Sequence, residues 1–196
     1  MPNPKEIRQI IRARRRTLRR RACEKNSSAA ATHFIRNIAL IRCRRIALYL
    51  AADGELDPRP LADRLCQLNK KLYLPVLRPS HHKALWFSEF HQDDRLQPNR
   101  FGIAEPDIRH RKPIPAWGLD LIILPLVAFN NEGTRMGMGG GYYDRTLAYQ
   151  LIHQQWNRPT LIGYAHEFQR MEALPRRHWD VPLHGVITEC GYQQFR

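Results

Sequence analysis

The sequence feature that most constrains the fold is the apolar run from Asp120 to Phe129 (DLIILPLVAF), the most hydrophobic stretch of the chain. A run rich in Ile, Leu and Val is typical of a central β-strand that is covered on both faces, as in parallel sheets. Pro125 lies within the run and has no N–H to donate, so regular strand pairing is expected to end or bulge there. The chain therefore needs a layer of structure on each face of its sheet.

Segments on both sides of this run alternate between strand and helix patterns. Leu61, Leu65 and Leu68 follow helical spacing after Pro58. Residues 97–115 contain four prolines and indicate a long irregular connection. A strand at Ile46 to Ala51, the helix after Pro58 and a second strand at Lys71 to Leu77 predict two parallel strands joined by a crossover helix. We therefore predict an α/β fold, a three-layer αβα domain with a mostly parallel central sheet, formed as one domain by residues 1–196. The further predicted strands are Ile46 to Ala51, Lys71 to Leu77, Leu85 to Phe90, Thr160 to Ala165 and Gly185 to Thr188.

The first 45 residues carry most of the charge. They contain 14 Lys or Arg against two Glu, whereas the remaining 151 residues contain 18 basic and 16 acidic groups. Their positive field attracts anions, and phosphorylated ligands, nucleic acid and acidic lipids all remain possible from charge alone. Apolar spacing predicts two N-terminal helices packed on the domain, the second with N-cap candidates at residues 26–28. The apolar positions are Ile7, Ile10, Ile11 and Leu18 in the first helix and Ala31, Phe34, Ile35 and Ile38 in the second.

Several classes of protein are disfavoured by the sequence. No segment approaches the roughly 20 apolar residues that cross a bilayer, and no apolar core follows the basic N-terminus as in a secretory signal. The four cysteines form no Cys-x-x-Cys pair, which argues against a zinc site or a disulfide framework. We expect a cytoplasmic protein that does not bind membranes, and a monomer.

The segment from Arg135 to Arg145 (RMGMGGGYYDR) carries the clearest chemical signal. Four glycines in five positions let a ligand approach the backbone, and N–H groups at such a turn before a helix bind phosphate oxygens. The segment matches neither a Walker A loop nor a clean dinucleotide fingerprint. A flexible linker is the plain alternative, but a buried strand before it and a predicted helix from Tyr142 to Gln154 after it favour a phosphate loop.

Residues 125–147 (PLVAFNNEGTRMGMGGGYYDRTL) resemble the signature of the 5-formyltetrahydrofolate cyclo-ligase family, also called 5,10-methenyltetrahydrofolate synthetases. The resemblance extends over almost the whole chain, through KEIR, YLAADGELD, YLPVL, FGIAEP, and IGYAHEFQ to WDVPLHGVIT. It implies an ATP- and Mg²⁺-dependent ligase of one-carbon metabolism. The implied reaction converts 5-formyltetrahydrofolate to 5,10-methenyltetrahydrofolate through a phosphorylated formyl group, with release of ADP and phosphate.

The resemblance also assigns roles to residues. Arg135 and Tyr142 are the catalytic candidates, and Asp144 and Asp180 are the candidate Mg²⁺ ligands, a role that suits the preference of this ion for carboxylates. The residues implied in ATP binding are Lys5, Arg8, Arg135, Gly137, Gly139, Gly140, Gly141, Tyr142 and Tyr143. Those implied in folate binding are Leu50, Glu55, Met138, Gly139, Gly140, Gly141 and Tyr142.

Each of these residues also has an ordinary structural interpretation. Asp144 suits the first turn of a helix, Glu55 suits the turn after Asp53 and Gly54, and Tyr143 suits the core. Two further hypotheses stay open. The arginine runs at residues 14–16 and 19–21 could bind nucleic acid, which we expect at most as a secondary property, and the fold could act on another formyl- or carboxylate-bearing metabolite.

Overall fold

The computed structural model describes residues 3–78, 83–99, 102–109, 111–152 and 158–195. In these ranges the α-helices are α1 Pro4–Arg16, α2 Arg20–Arg36, α3 Ile38–Ile41, α4 Arg59–Gln67, α5 Tyr142–Leu147 and α6 Tyr149–Ile152. The strands are β1 Arg45–Ala47, β2 Lys71–Leu77, β3 Leu85–Phe90, β4 Leu96–Pro98, β5 Ala104–Pro106, β6 Leu121–Pro125, β7 Ala128–Phe129, β8 Arg135–Met136, β9 Thr160–Tyr164, β10 Gly185–Thr188 and β11 Gly191–Gln194. None of the helices described is long and apolar enough to cross a membrane.

Seven strands form the central sheet in the order β11-β10-β9-β6-β1-β2-β3. β6 pairs in parallel with β1 and β9, β1 pairs in parallel with β2, and β9 pairs in parallel with β10. Only the two edge strands, β3 and β11, are antiparallel to their neighbours. The prediction of a mostly parallel sheet with the apolar run at its centre is therefore confirmed, and the ladder ends at Pro125.

Side chains from alternate positions of β6 enter two different cores. Leu121 and Ile123 pack into a cluster that includes Phe34 of α2 and Leu61 of α4. Ile122 and Leu124 belong to a cluster on the opposite face, which includes Leu147 of α5. Since successive side chains of a strand point to opposite faces, this division gives the three layers of the αβα fold.

Helix α1 lies across the end of the sheet where β6 finishes. Ile7 and Ile11 pack against Val127, Ala128 and Met136 in a third, smaller cluster. Asn3 caps the helix with its side chain, which accepts from the N–H groups of Lys5 and Glu6, and the carboxylate of Glu6 accepts from the N–H of Asn3. The basic helix is thereby held beside the segment that follows the central strand.

Some local predictions were wrong. α2 starts at Arg20, so the proposed cap residues 26–28 lie inside it, because arginine and alanine extend a helix and Asn26 and Ser27 find tertiary partners. Ile10 and Ile38 are exposed rather than in the core. The expected long helix from Tyr142 is observed as α5 and α6, and its last predicted residues fall outside the described ranges. β1 is shorter than expected, the irregular connection contains the β4–β5 hairpin, and β11 was not predicted.

Candidate functional site

The glycine loop, residues 137–141, lies at the carboxyl end of the central strand. The chain leaves β6, forms the short β7–β8 hairpin and enters the loop directly after Met136. Gly139 has φ +96° and Gly141 has φ +66°, a left-handed region that favours glycine. Gly141 is also the residue that precedes α5. The loop therefore needs glycine at these positions for its conformation.

Two arginines, one on α1 and one on α5, donate hydrogen bonds to carbonyl groups of this loop. Nε of Arg8, on α1, donates to the carbonyl of Gly137 at 2.8 Å. Nη1 of Arg145, on α5, donates to the carbonyls of Gly140 at 3.0 Å and Gly141 at 2.9 Å. A loop whose carbonyl groups face guanidinium groups is suited to direct its N–H groups toward an anion. Arg8, a candidate for ATP binding, therefore contacts the glycine loop directly.

Arg135 is the buried cation of the site. Its side chain is only 6% exposed, and Nη2 donates to Oδ1 of Asp144 at 2.7 Å. Nε of Arg135 is buried without a hydrogen-bond partner in the part of the chain that is described. Leaving a buried donor without a partner costs free energy, so this N–H is a candidate to donate a hydrogen bond to a bound anion.

Tyr142 and Tyr143 follow the loop on α5, and both pack partly into the core cluster behind it. Burial raises the pKa of the Tyr143 hydroxyl well above its ordinary value; the charge of Glu55 raises it further and that of Arg135 lowers it. The Tyr143 hydroxyl is therefore close enough to Glu55 and to Arg135 for both charges to influence its pKa. The ring of Tyr142 lies against Gly140, where a methyl group would be 3.0 Å from the ring.

The turn after β1 contributes the predicted folate residues. Asp53 and Gly54 have φ +51° and +72°, and Glu55 accepts from the N–H of Ala52 at 3.1 Å through Oε2. Burial raises the pKa of the Glu55 carboxyl, while the Ala52 N–H and the charge of Arg15 lower it. Leu50 is partly buried against the core below this turn. The turn thus presents a largely buried carboxylate and an apolar side chain at the same end of the sheet.

Three of the predicted residues have fewer contacts. Lys5 is exposed on α1, three residues before Arg8 and therefore on the same face of the helix, and Met138 in the loop is 52% exposed. Oδ2 of Asp180 accepts from the N–H of Arg177 at 2.7 Å. No hydrogen bond or ion pair among the described residues joins Asp180 to Asp144. Nor do these residues contain a cluster of three or more His, Cys, Asp or Glu side chains that could hold a metal.

Sequence reasoning missed the role of the arginines on α1. Arg12 and Arg16 each place Nε 2.5 Å from a different carboxylate oxygen of Asp53, and Arg15 lies 3.3 Å from the same carboxylate. Residues 12, 15 and 16 share one face of a helix, but nothing in the sequence identifies the distant Asp53 as their partner. The guanidinium group of Arg14 lies 4.5 Å from the centre of the Phe168 ring. These arginines therefore make intramolecular contacts.

A parallel sheet with a glycine loop, guanidinium groups and carboxylate groups at its carboxyl edge is typical of α/β enzymes, which bind ligands at that edge. The family model described as the 5-formyltetrahydrofolate cyclo-ligase family matches residues 1–189 of the chain. The chain belongs to this family and is an enzyme of its class. The resemblance deduced from the glycine loop and the flanking motifs is confirmed.

Individual relatives agree with this assignment. The 5-formyltetrahydrofolate cyclo-ligase of Escherichia coli is 40% identical over 181 residues, which cover 91% of this chain and 96% of the relative. The cyclo-ligase of Haemophilus influenzae is 37% identical, with coverage of 93% and 96%. The NMR structure of the Aquifex aeolicus 5,10-methenyltetrahydrofolate synthetase superposes with a TM-score of 0.82 at 28% identity and covers 98% of this chain and 93% of that one.

Proposed function

We propose that this enzyme converts 5-formyltetrahydrofolate to 5,10-methenyltetrahydrofolate with consumption of ATP in the presence of Mg²⁺. The observation that carries the proposal is the buried Arg135, whose unpartnered Nε lies at the entrance of a glycine loop held by Arg8. Phosphoryl transfer is catalysed mainly by positioning and by neutralising charge, and this set of groups supplies both.

In this proposal the nucleotide occupies the side of the site between α1 and the glycine loop. The phosphates accept from loop N–H groups and from Arg135, and Lys5 and Arg8 add positive charge from one face of α1. Tyr142 and Tyr143 close this side from α5. The ATP-binding set is Lys5, Arg8, Arg135, Gly137, Gly139, Gly140, Gly141, Tyr142 and Tyr143.

The reduced folate occupies the side next to the turn after β1. Glu55 accepts hydrogen bonds from N–H groups of the pterin, and Leu50 packs on its ring. Met138 supplies an exposed apolar side chain to the same substrate, in keeping with the adaptable surfaces that methionine forms. The segment from residue 139 to Tyr142 contacts both ligands and brings the formyl group to the γ-phosphate.

The chemistry proceeds in two steps. The formyl oxygen attacks the γ-phosphorus, the bond from phosphorus to the bridging oxygen breaks, and ADP leaves. N10 then attacks the activated formyl carbon, the carbon–oxygen bond breaks, and phosphate leaves with that oxygen while N10 releases its proton to solvent. Arg135 neutralises the charge on the transferring phosphoryl group, and Tyr142 orients it with its hydroxyl.

The proposed Mg²⁺ ligands are Asp144 and Asp180. In nucleotide sites Mg²⁺ is held by one or two carboxylates together with phosphate oxygens and water, so two aspartates are a chemically sufficient protein contribution. The partly exposed Asp144 also contacts Arg135, which brings carboxylate and guanidinium to the same part of the site. When bound, the ion offsets negative charge on the phosphates of ATP.

An isotope experiment tests the order of bond changes. 5-Formyltetrahydrofolate labelled with ¹⁸O in the formyl group is incubated with the enzyme, ATP and Mg²⁺, and the released phosphate is analysed by mass spectrometry. Attack by the formyl oxygen on phosphorus predicts one ¹⁸O atom in each phosphate. If the phosphate carries no label and the ¹⁸O is instead released as water, ATP is hydrolysed separately and the phosphorylated intermediate is overturned.

In this proposal nucleic-acid binding is at most a secondary property. Arg12, Arg15 and Arg16 pair with Asp53, so their charges are partly neutralised within the protein. We further propose that the enzyme acts in the cytoplasm as a monomer. Sedimentation of the pure protein at micromolar concentration tests the second point, and a dimer mass would refute it.

A further inference from the structure

Arg15 is the most deeply buried charged side chain that the proposed chemistry does not use. It lies near the end of α1, its side chain is 0% exposed, and its Nε is buried without a hydrogen-bond partner in the described ranges of the chain. An isolated buried charge is very unfavourable, so a fully buried guanidinium must be compensated by neighbouring groups. The identity of those neighbours indicates what it does.

The neighbours of Arg15 belong to the turn after β1 and to the end of the central strand. Nη1 lies 3.4 Å from Oε1 of Glu55 and 3.5 Å from the carbonyl oxygen of Leu126, and Nη2 lies 3.3 Å from Oδ2 of Asp53. One guanidinium is thus shared between two carboxylates and a carbonyl, at ion-pair distances rather than in short bonds. A Lys side chain could not serve three acceptors in this planar arrangement.

The backbone of α1 also lies close to the backbone of this turn. A Cβ atom at Gly54 would lie 2.8 Å from the carbonyl oxygen of Arg15, so glycine is needed for the approach as well as for its φ of +72°. Glu55 receives one hydrogen bond from the N–H of Ala52 and its only described ion pair from Arg15. The orientation and the charge of the Glu55 carboxylate therefore depend on Arg15.

We propose that Arg15 is a positioning residue of the folate subsite, which holds the Glu55 carboxylate in place for the pterin from the helix that also carries Arg8. The inference rests on the proposed function, because it takes Glu55 as a folate contact. Arg8 and Arg15 are two helical turns apart on α1, so one helix supports both the glycine loop and the pterin turn. Arg15 itself does not touch the substrate.

The chain offers a matched control for this proposal. Arg16 contacts Asp53 through its Nε at 2.5 Å, as Arg15 does through Nη2, but no contact described for Arg16 reaches Glu55. Arg16→Met removes the same charge from the same helix and weakens the same turn. A difference between the Arg15→Met and Arg16→Met variants therefore reports the contact with Glu55.

The test measures the KM for 5-formyltetrahydrofolate, the KM for ATP and kcat in four variants of the full chain: Arg15→Met, Arg16→Met, Glu55→Gln and the double variant of Arg15 and Glu55. Arg15→Met is expected to raise the folate KM about tenfold, which corresponds to ~1.4 kcal/mol, with the KM for ATP within about twofold of that of the unchanged enzyme. Arg16→Met should leave the folate KM within about twofold. In the Glu55→Gln background, Arg15→Met should raise the folate KM almost no further, because the effect of Arg15 acts through the Glu55 carboxylate.

Two results would overturn the inference. If Arg15→Met and Arg16→Met change the folate KM and the ATP KM to the same extent, Arg15 has only a general structural role. An undiminished tenfold effect of Arg15→Met in the Glu55→Gln background would show that Arg15 acts by another route. If Arg15→Met does not fold by circular dichroism, Arg15→Lys carries the same comparison, since it keeps the charge but cannot bridge both carboxylates.

Failure of the inference and failure of the proposed function give different results. If Glu55→Gln raises the folate KM and Arg15→Met does not, the pterin assignment stands and only the positioning role is wrong. If Glu55→Gln itself leaves the folate KM unchanged, the assignment of Glu55 to the pterin fails first.

Discussion

The cluster of α1 arginines around Asp53 predicts how the stability of the protein depends on one carboxylate. Burial of this carboxyl raises its pKa, but hydrogen bonds from Arg16 and Arg12 and their positive charges outweigh that effect and lower the pKa from 3.8 to about 2. Asp53→Asn removes the charge while keeping the shape of the side chain. Asparagine also tolerates the φ of +51° at this position, so the backbone is not perturbed.

The size of the effect follows from the pKa. At about 1.36 kcal/mol per pKa unit, a fall from 3.8 to about 2 corresponds to ~2.4 kcal/mol of folding free energy. The side chains of Arg12 and Arg16 are 37% and 61% exposed, so solvent and salt screen part of this interaction. We therefore expect Asp53→Asn to lower the free energy of unfolding by about 1–2 kcal/mol at pH 7.

The sign of the pH dependence is fixed by the direction of the pKa change. Because the folded-state pKa is below the unfolded-state value, the stabilisation is fully present above about pH 4 to 5 and is lost as the pH falls toward 2. Urea unfolding followed by tryptophan fluorescence at pH 7, 5 and 3 measures it. The destabilisation should be equal at pH 7 and 5 and smaller at pH 3.

Asp93→Asn is the control, because it removes the same charge from an exposed position. It should change the free energy of unfolding by less than about 0.5 kcal/mol. If Asp53→Asn and Asp93→Asn have the same stability at pH 7, the ion pairs between α1 and the turn after β1 contribute nothing measurable and the reasoning is refuted.

Three further predictions concern the glycine loop and its support. Arg8→Met should raise the KM for ATP about tenfold, with little change in the folate KM in steady-state assays, because Arg8 contacts the loop on the side where we propose that the nucleotide binds. Gly141→Ala should reduce kcat/KM more than Gly137→Ala, since a methyl group at Gly141 collides with Arg145 at a positive φ whereas Gly137 faces open space; equal kinetics would argue against a conformational need for glycine. Ile11→Ala should lower the free energy of unfolding by about 2–3 kcal/mol in urea titrations, and an unchanged midpoint would show that α1 is not held by its apolar face.

The centre of the sheet could be predicted from the sequence because a strand buried on both faces has an apolar residue at almost every position. The Asp120 to Phe129 run is apolar at successive positions, as a strand covered on both faces must be, and the structure places β6 at the centre. β11 was not predicted, since residues 191–194 (GYQQ) show no apolar alternation and pair as an antiparallel edge strand. This edge strand is set by tertiary contacts rather than by its local pattern, unlike β3 at the other edge, which was predicted from its own sequence.

The candidate site was predictable in part for a related reason. The glycine loop is contiguous, so its spacing can be recognised, and the likeness to a family added residues that are distant in sequence, such as Arg8 and Glu55. The network of Arg12, Arg15 and Arg16 with Asp53 was not foreseen, because pairing across about 40 residues leaves no local signal. In the sequence these arginines are indistinguishable from the exposed Arg19, Arg20 and Arg21 that follow them.

The measurement that tests the central claim most directly is the absorbance of the methenyl product during incubation of the pure protein with 5-formyltetrahydrofolate, ATP and Mg²⁺. Omission of ATP, addition of EDTA and the Arg135→Met variant complete the experiment. We predict product only with both ATP and metal present, and a loss of at least about 100-fold in kcat/KM for Arg135→Met, as for the removal of a group that stabilises transition-state charge. Product formation without ATP, or full activity of a folded Arg135→Met variant, would contradict the role assigned to the glycine loop and its buried arginine.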